Sequence, residues 1–449
     1  MGDSAVTEAS IFQRRFDEAL TRLTADDAPA RWLVAFSGGL DSTLLLDAVR
    51  CSAIEAPVTV VHIDHGLHDD SALWSAHCAA HADALGIDYV AREVSIDQDS
   101  GESLEAVARE ARYAVFAELL APGDALLTAH HADDQLETIL LRLLRGTGVR
   151  GLAAIRERAM LGVGLLLRPL LDFTRVEIVE QARRRGLDWL EDPSNRDLRF
   201  DRNFLRQRCL PNLLERWPRA GPVASRLARQ MAEAEAVLAE SAALDLAAVD
   251  DPECISLALF ADLSPARRNN ALRFAVQLAG LSTPSAAQLA ELGRILEVRE
   301  DAEAAVTWPG AEARLYRQHL YLMPAATDTE LVDGKVTATK SCRVGDGALK
   351  LVEAPDYGIP DQWAQEGLSV VFRQGGERFQ PHRSDCHKTL KHWFQEQGVV
   401  PWMRNSVPLL YHGDELVAVG DLALADGLPR SPDDGPFWRP QWSGHARLR

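Results

Sequence analysis

The chain has 449 residues, enough for two to four domains, and its 47% hydrophobic and 25% charged residues are the mix of a globular protein. Its six cysteines (Cys51, Cys78, Cys209, Cys254, Cys342, Cys386) form no CxxC pair and no zinc-spaced cluster, which argues against disulfides, zinc and an iron–sulfur cluster and for a reducing cytoplasm. A net charge of −18 argues against nucleic acid as a partner of the average surface, and the lack of a signal-like leader or a long apolar run argues against a membrane.

Residues 7–24 are amphipathic and predict a helix ahead of the first strand. Trp32-Leu-Val-Ala-Phe-Ser-Gly-Gly-Leu-Asp-Ser42, continuing into Thr43-Leu-Leu-Leu-Asp-Ala-Val49, predicts a buried strand, a tight glycine turn and a helix start. Gly38 and Gly39 let backbone N–H groups crowd around an anion, and the helix dipole adds to the attraction. Ser37 and Ser42 bring hydroxyls to the same point, and Asp41 is a carboxylate where Mg2+ would need one. No lysine sits in this loop, so it is not the GxxxxGK[ST] loop that holds phosphates for transfer. A cradle of N–H and hydroxyl donors suits a pyrophosphate that leaves intact, hence nucleotidyl transfer from ATP. An ordinary glycine turn is the competing account.

Val58–Asp64 predicts a second strand, 71–86 a helix, Asp88–Val94 a third strand and 103–120 a helix carrying Arg109, Arg112 and Tyr113. Asp124–His131 predicts a fourth strand, with a helix over 132–145. Strands alternating with helices mean an α/β fold with a doubly wound parallel sheet, whose ligands bind at the carboxyl ends of the strands. Ser37, Asp64 and His130 stand at such ends. In His130-His-Ala-Asp-Asp-Gln-Leu-Glu-Thr138, Asp134 and Glu137 are three apart and share a helical face. Two carboxylates facing ATP can hold Mg2+ or an ammonium group; acids that merely favour a helix N-terminus are the alternative. His65 and His131 read equally well as structural histidines.

Residues 165–171 predict a short strand and 174–186 a helix. Residues 189–206 are first turn-like and then helical, with Arg199, Arg202 and Arg206 on one face, where they can grip phosphates or pair with Asp197 and Asp201. Residues 196–219 carry seven arginines against three acids, and residues 373–404 six basic residues against three acids. Two basic patches on an acidic body permit RNA binding, because binding responds to the local field. Beyond Pro218, helices are expected over 222–247, 265–280 and 284–298, a strand pair over 303–323, and a linker over 325–340. A small α+β module follows, with strands at 348–353 and 368–373, a helix at 387–397 and a hairpin over 409–419. The domains are therefore placed at 1–217, 218–328 and 341–428, with an irregular tail over 429–449.

The loop Ser37–Ser42 resembles the pyrophosphate loop of the N-type ATP pyrophosphatases. VHIDHGL (61–67), LEAVAREARY (104–113), TAHHADDQLETILLRLLRGTGVRGL (128–152) and WLEDPSNRDLRFDRNFLR (189–206) narrow the resemblance to the tRNA(Ile)-lysidine synthetases. FRQGGERFQP (372–381) and Lys388–Gly420 are similar to the C-terminal module of the longer members, and the likeness is weak only through 222–340 and the tail. The resemblance implies a cytoplasmic ligase with two steps. ATP adenylates the C2 oxygen of the wobble cytidine in the CAU anticodon of tRNA(Ile), and the amine of free L-lysine then displaces AMP.

It further implies roles for particular residues. Ser37, Gly38, Gly39, Leu40, Asp41 and Ser42 would hold the phosphates and metal, with Phe36, Ile63 and His130 around the adenine. Asp134 and Glu137 would take the lysine ammonium, Asp134 joining Asp41 on Mg2+, and Arg109 and Arg112 would face the nucleotide or the lysine carboxylate. Asp41, Asp134, Glu137 and Arg112 would be catalytic; Arg199, Arg202, Arg206, Arg378, Lys388 and Lys391 would hold the tRNA. Asp64 departs from the family's usual residue at that strand end. A homodimer is compatible with this reading. A thiolase, though no close cysteine pair exists here, and a non-catalytic nucleotide sensor that binds RNA stand as alternatives.

Overall fold

A computed structural model describes residues 8–64, 66, 71–94, 104–191, 197–297, 304–325, 331–355, 357–384, 386–428 and 436–448. His65 and Leu67 of the second motif, residues 192–196 of the arginine-rich one, and Asp385 of the second basic patch lie outside the described residues. The chain folds as two compact units, Met1–Leu238 and Ala239–Arg449.

The first unit is built on six strands: β1 (Arg31–Ala35), β2 (Val58–Asp64), β3 (Asp88–Glu93), β4 (Asp124–Leu127), β5 (Arg158–Leu161) and β6 (Gly164–Leu167). Their order is β3-β2-β1-β4-β6-β5, parallel except for β5, which pairs antiparallel with β6. Among the described residues these helices accompany them: α1 (Glu8–Leu23), α2 (Leu40–Cys51), α3 (Ser71–Ala84), α4 (Leu104–Leu119), α5 (Ala132–Leu144), α6 (Val149–Leu152) and α7 (Arg175–Arg184). The pleat divides β1 between two cores. Trp32 and Val34 pack with Phe12, Phe16, Leu44 and Leu45, whereas Leu33 packs with Phe116, Leu120 and Leu126 on the other face. Burial on both faces is why these strands read as continuous apolar runs.

Two local expectations change. The strand expected over 124–131 ends at Leu127, and an edge strand, β5, forms a hairpin with β6 around Gly162, whose φ is +56°. β5 is four residues long with an exposed Met160, too short to show a period. The order of strands reverses between β1 and β4, so the crevice outside their carboxyl ends is where a ligand fits. Helix α8 (Asp201–Phe204), a π-helical turn (Leu205–Cys209), α9 (Leu210–Arg216) and α10 (Ala220–Asp245) follow.

In the second unit, helices at Pro265–Leu278 and Ala286–Ile295 share a core with a four-stranded sheet in the order Cys254–Ser256, His319–Pro324, Ala311–Tyr316, Ala305–Trp308. The second strand of the pair expected over 303–323 is two, because Arg317 and Gln318 turn the chain with φ of +48° and +62°. No glycine marks that turn; Arg317 is held instead by a bond to the Gln395 carbonyl. The C-terminal part has sheets of five and four strands around a core that includes Val336, Leu349, Val370 and Trp393. Gly334–Val336, inside the expected linker, pairs with Leu368–Val371. Phe437–Ser443, inside the expected irregular tail, runs antiparallel along Gly347–Ala354. Its inward residues are Pro440 and Trp442, so the period of two is hidden in a composition that reads as irregular.

Candidate active site

Four residues, Phe36–Gly39, join β1 to α2. Gly38 has φ +74°, and a Cβ there would lie 3.1 Å from Cys78 Sγ and 3.3 Å from Leu190 Cδ1, so both backbone conformation and space call for glycine. Leu190 N donates to the Gly38 carbonyl at 2.9 Å and pins the loop from the far side. The Ser37 and Ser42 hydroxyls lie 3.2 Å apart, and Ser42 Oγ donates to the Gly39 carbonyl at 3.0 Å. Phe36 is 2% exposed, with its ring in the core against His81, so it supports the loop from beneath; Ile63, at the end of β2, is half-buried.

Asp41 opens α2 with its side chain 33% exposed. Helix α7 starts with a capping box: Thr174 Oγ1 accepts from Glu177 N at 3.2 Å, and Glu177 Oε2 accepts from Thr174 N at 2.7 Å. Asp133 ties α5 to this turn by accepting from Arg175 N at 2.6 Å. The Arg175 guanidinium thereby reaches Asp41, with Nη1 3.3 Å from both carboxylate oxygens.

α5 places the second constellation at the end of β4. Asp134 Oδ2 accepts from His131 N at 3.0 Å, while Oδ1 accepts from Arg206 Nη2 at 3.0 Å. Glu137, 1% exposed, accepts from Arg202 Nε at 2.9 Å, Arg206 Nε at 2.7 Å and Arg206 Nη2 at 2.9 Å. Two buried acids are thus matched by two arginines from α8 and the π-helical turn. Burial raises the Asp134 carboxyl, but His131, His130, Arg202 and Arg206 outweigh it and hold the group below the usual carboxylate range. Burial likewise lowers Arg206, and Glu137 and Asp134 more than reverse it.

Between the two constellations sits His131, 1% exposed. Its Nε2 is 3.5 Å from Asp134 Oδ2 and 3.9 Å from Asp41 Oδ2, and its Nδ1 is 3.7 Å from Asp133 Oδ2; among the described residues neither nitrogen has a hydrogen-bond partner. His130 Nδ1 meets Thr128 Oγ1 at 2.9 Å. Burial, opposed by Asp134 and reinforced by Arg168 and Arg109, pushes His130 down to about 3.

The structure therefore brings together Asp41, Asp134, Glu137, Arg202 and Arg206, with His130 beside them. Arg109 lies over the Tyr113 ring at 4.9 Å and bonds its hydroxyl at 3.4 Å, while Arg112, one residue earlier than Tyr113, is exposed. Arg199 does not join the arginine pair. The helix begins only at Asp201, and Arg199 stays on the surface with its side chain 88% exposed, paired with Asp197. In the second unit Arg378 and Lys391 are exposed, and Lys388 pairs with Glu396 at 2.6 Å. By sequence His131 is set aside as a structural histidine, and Arg168 and Arg175 are not singled out. Arg168 is buried, donating to the Arg156 carbonyl at 2.6 Å and to the Tyr113 hydroxyl at 3.4 Å. A cation directly after a buried strand was the signal for Arg168, and a cation at the first position of a capped helix the signal for Arg175.

Among the described residues no group of three or more His, Cys, Asp and Glu side chains could hold a metal by itself. Mg2+ needs no such cage, since it binds through one or two carboxylates plus phosphate oxygens and water. The accessible carboxylate of Asp41 fits that role; Asp134 fits it once Arg206 leaves Oδ1.

Three family profiles match the chain: a PP-loop domain over residues 9–213, a TilS substrate binding domain over 255–321 and a TilS substrate C-terminal domain over 368–442. A tRNA(Ile)-lysidine synthase of Alkalilimnicola ehrlichii is 43% identical over 426 residues, 92% of this chain and 95% of that protein. Those of Methylococcus capsulatus (39% identical, 86% of this chain and 90% of that protein) and Coxiella burnetii (36%, 91% and 92%) are also similar.

Proposed function

Since the chain belongs to the tRNA(Ile)-lysidine synthase family, we propose that the crevice between the ends of β1 and β4 is where its nucleotide, its cytidine and its amine meet. It is a ligase of tRNA modification that uses ATP and forms a carbon–nitrogen bond. The observation that carries the reading is the approach of the loop to the acidic helix: His131 stands within 3.9 Å of Asp41 and 3.5 Å of Asp134.

In the first step the C2 oxygen of the wobble cytidine attacks the α-phosphorus of ATP, and the bond to the oxygen bridging to the β-phosphate breaks. Ser37, Gly38, Gly39, Leu40 and Ser42 cradle the phosphates, Asp41 would hold Mg2+, and Ile63 and His130 border the adenine, with Phe36 packed beneath. A bound Mg2+ supplies charge neutralisation on the phosphates. His130, held neutral, adds no positive charge where the base must lie. In the second step the ε-amine of free lysine attacks C2 and AMP leaves. Asp134 and Glu137 orient the incoming ammonium, which gives up a proton to become the attacking amine, and Arg109 and Arg112 face its carboxylate or the nucleotide. Most of the rate comes from holding the partners in line.

Arg202 and Arg206 are the residues for the anticodon loop. In the free chain they neutralise Glu137 and Asp134, so RNA phosphates compete with the acids for the same two guanidiniums. Arg378, Lys388 and Lys391 in the second unit, with Arg199 on the first, bind the rest of the tRNA. The test is incubation with labelled lysine, ATP and tRNA(Ile) carrying a CAU anticodon. Label enters the RNA with one AMP and one pyrophosphate released per lysine, and Asp41→Asn abolishes it. ATP consumption that needs a sulfur donor, or ATP held without turnover, would replace this reading with the thiolase or the sensor.

A further inference from the structure

The glycine loop contains no cation, yet the pyrophosphate leaving an adenylated substrate gathers negative charge as its bond breaks. A cation reaches the loop from 134 residues away in sequence, with Arg175 Nη1 3.3 Å from both oxygens of Asp41. Its side chain is 43% exposed, so the guanidinium is open to solvent and not sealed within a core. Its main chain is fixed independently, by the bond from Arg175 N to Asp133 and by the Thr174–Glu177 cap. The fold thus holds the start of α7 firmly and leaves the arginine head free to change partner.

We propose that Arg175 is a phosphate-binding residue of the nucleotide site, resting on Asp41 in the free chain and passing to the β- and γ-phosphates of ATP. The inference rests on the nucleotidyl-transfer reading above. A half-exposed ion pair is weakly held because water screens it, so a polyanion displaces one carboxylate readily. The planar fork of a guanidinium also matches phosphate oxygens. When the cytidine oxygen attacks the α-phosphorus, the electron pair of the broken bond stays on the bridging oxygen and departs with pyrophosphate. Arg175 neutralises that charge, the part a lysine plays in loops that transfer a terminal phosphate. Asp41, relieved of the arginine, would be the carboxylate left to hold the cation that accompanies ATP.

The full chain is tested by calorimetric binding of inorganic pyrophosphate with Mg2+, alongside single-turnover AMP transfer to RNA and the lysine KM. Arg175→Ala should weaken pyrophosphate binding at least about tenfold and slow adenylation about a hundredfold, with the lysine KM unchanged. Arg175→Lys should recover part of the binding and Arg175→Gln none. Pyrophosphate bound equally by the Lys and Gln variants, or a loss of activity cured by extra Mg2+ alone, would overturn the proposal and leave Arg175 a brace for Asp41. Should the unsubstituted chain make no lysidine while its pyrophosphate binding still depends on Arg175, the reaction falls and the phosphate site stands.

Discussion

Asp41 and Glu137 are both carboxylates of the site, but their surroundings differ enough to separate chemistry from stability. Glu137 is buried and accepts three bonds from two arginines, so Glu137→Gln leaves those guanidiniums undercompensated. Removing one partner of a buried ion pair costs about 3–5 kcal/mol, and a denaturant titration should show a loss of that order. Asp41 is a third exposed, and among the described residues its hydrogen bonds come from a half-exposed arginine. Asp41→Asn should therefore change the unfolding free energy by less than about 0.5 kcal/mol while AMP formation falls at least about a hundredfold.

His130 gives the residue scale a pH dependence. Its folded pKa of about 3 lies below the ordinary 6.5, so the unfolded chain binds more protons between those values. Stability should therefore fall as pH drops from about 6.5 towards 3, and His130→Gln should flatten that part of a pH–stability curve measured by chemical denaturation. An unchanged slope would mean the imidazole is solvated in the folded state.

At the scale of elements, the site depends on two turns, one made by sequence and one by packing. The loop after β1 needs Gly38 at φ +74°, with Cys78 Sγ and Leu190 Cδ1 close to where a Cβ would go. Gly38→Ala should cost about 1–2 kcal/mol from the left-handed backbone alone and weaken ATP binding, read together by thermal melting and calorimetry. The other turn is the π-helical stretch Leu205–Cys209, which contains Arg206 and follows directly on α8 with Arg202. An extra residue per turn resets which side chains face inward, and such turns recur at functional sites. A regular 3.6-residue period, the only one visible in the sequence, put Arg199 on the same stripe; the helix starts after it.

For the molecule as a whole, a charge of −18 and an RNA substrate are reconciled by local patches. The exposed Arg378 and Lys391 belong to one patch, and the arginines of 196–219 to the other. The logarithm of the affinity for tRNA should fall linearly with log salt, and Arg378→Ala or Lys391→Ala should each lower that slope by about 1 without changing which tRNA is preferred. A slope unmoved by either would remove that face of the second unit from the RNA contact. Among the described residues no helix is long and apolar enough to cross a membrane.

Local chemistry alone determined the parallel sheet, the glycine loop and the shared face of Asp134 and Glu137. Strand runs, turn glycines and an i, i+3 spacing are written within a few residues of one another. Partnership was decided by the tertiary structure, because a charge carries no record of its counter-charge. Glu137 meets Arg206 across 69 residues and Asp41 meets Arg175 across 134. The same holds for Phe437–Ser443, a strand only because Gly347–Ala354 lies beside it to satisfy its backbone. Which residues could do chemistry was legible in order along the chain; which of them face one another required the sheet to reverse its winding between β1 and β4.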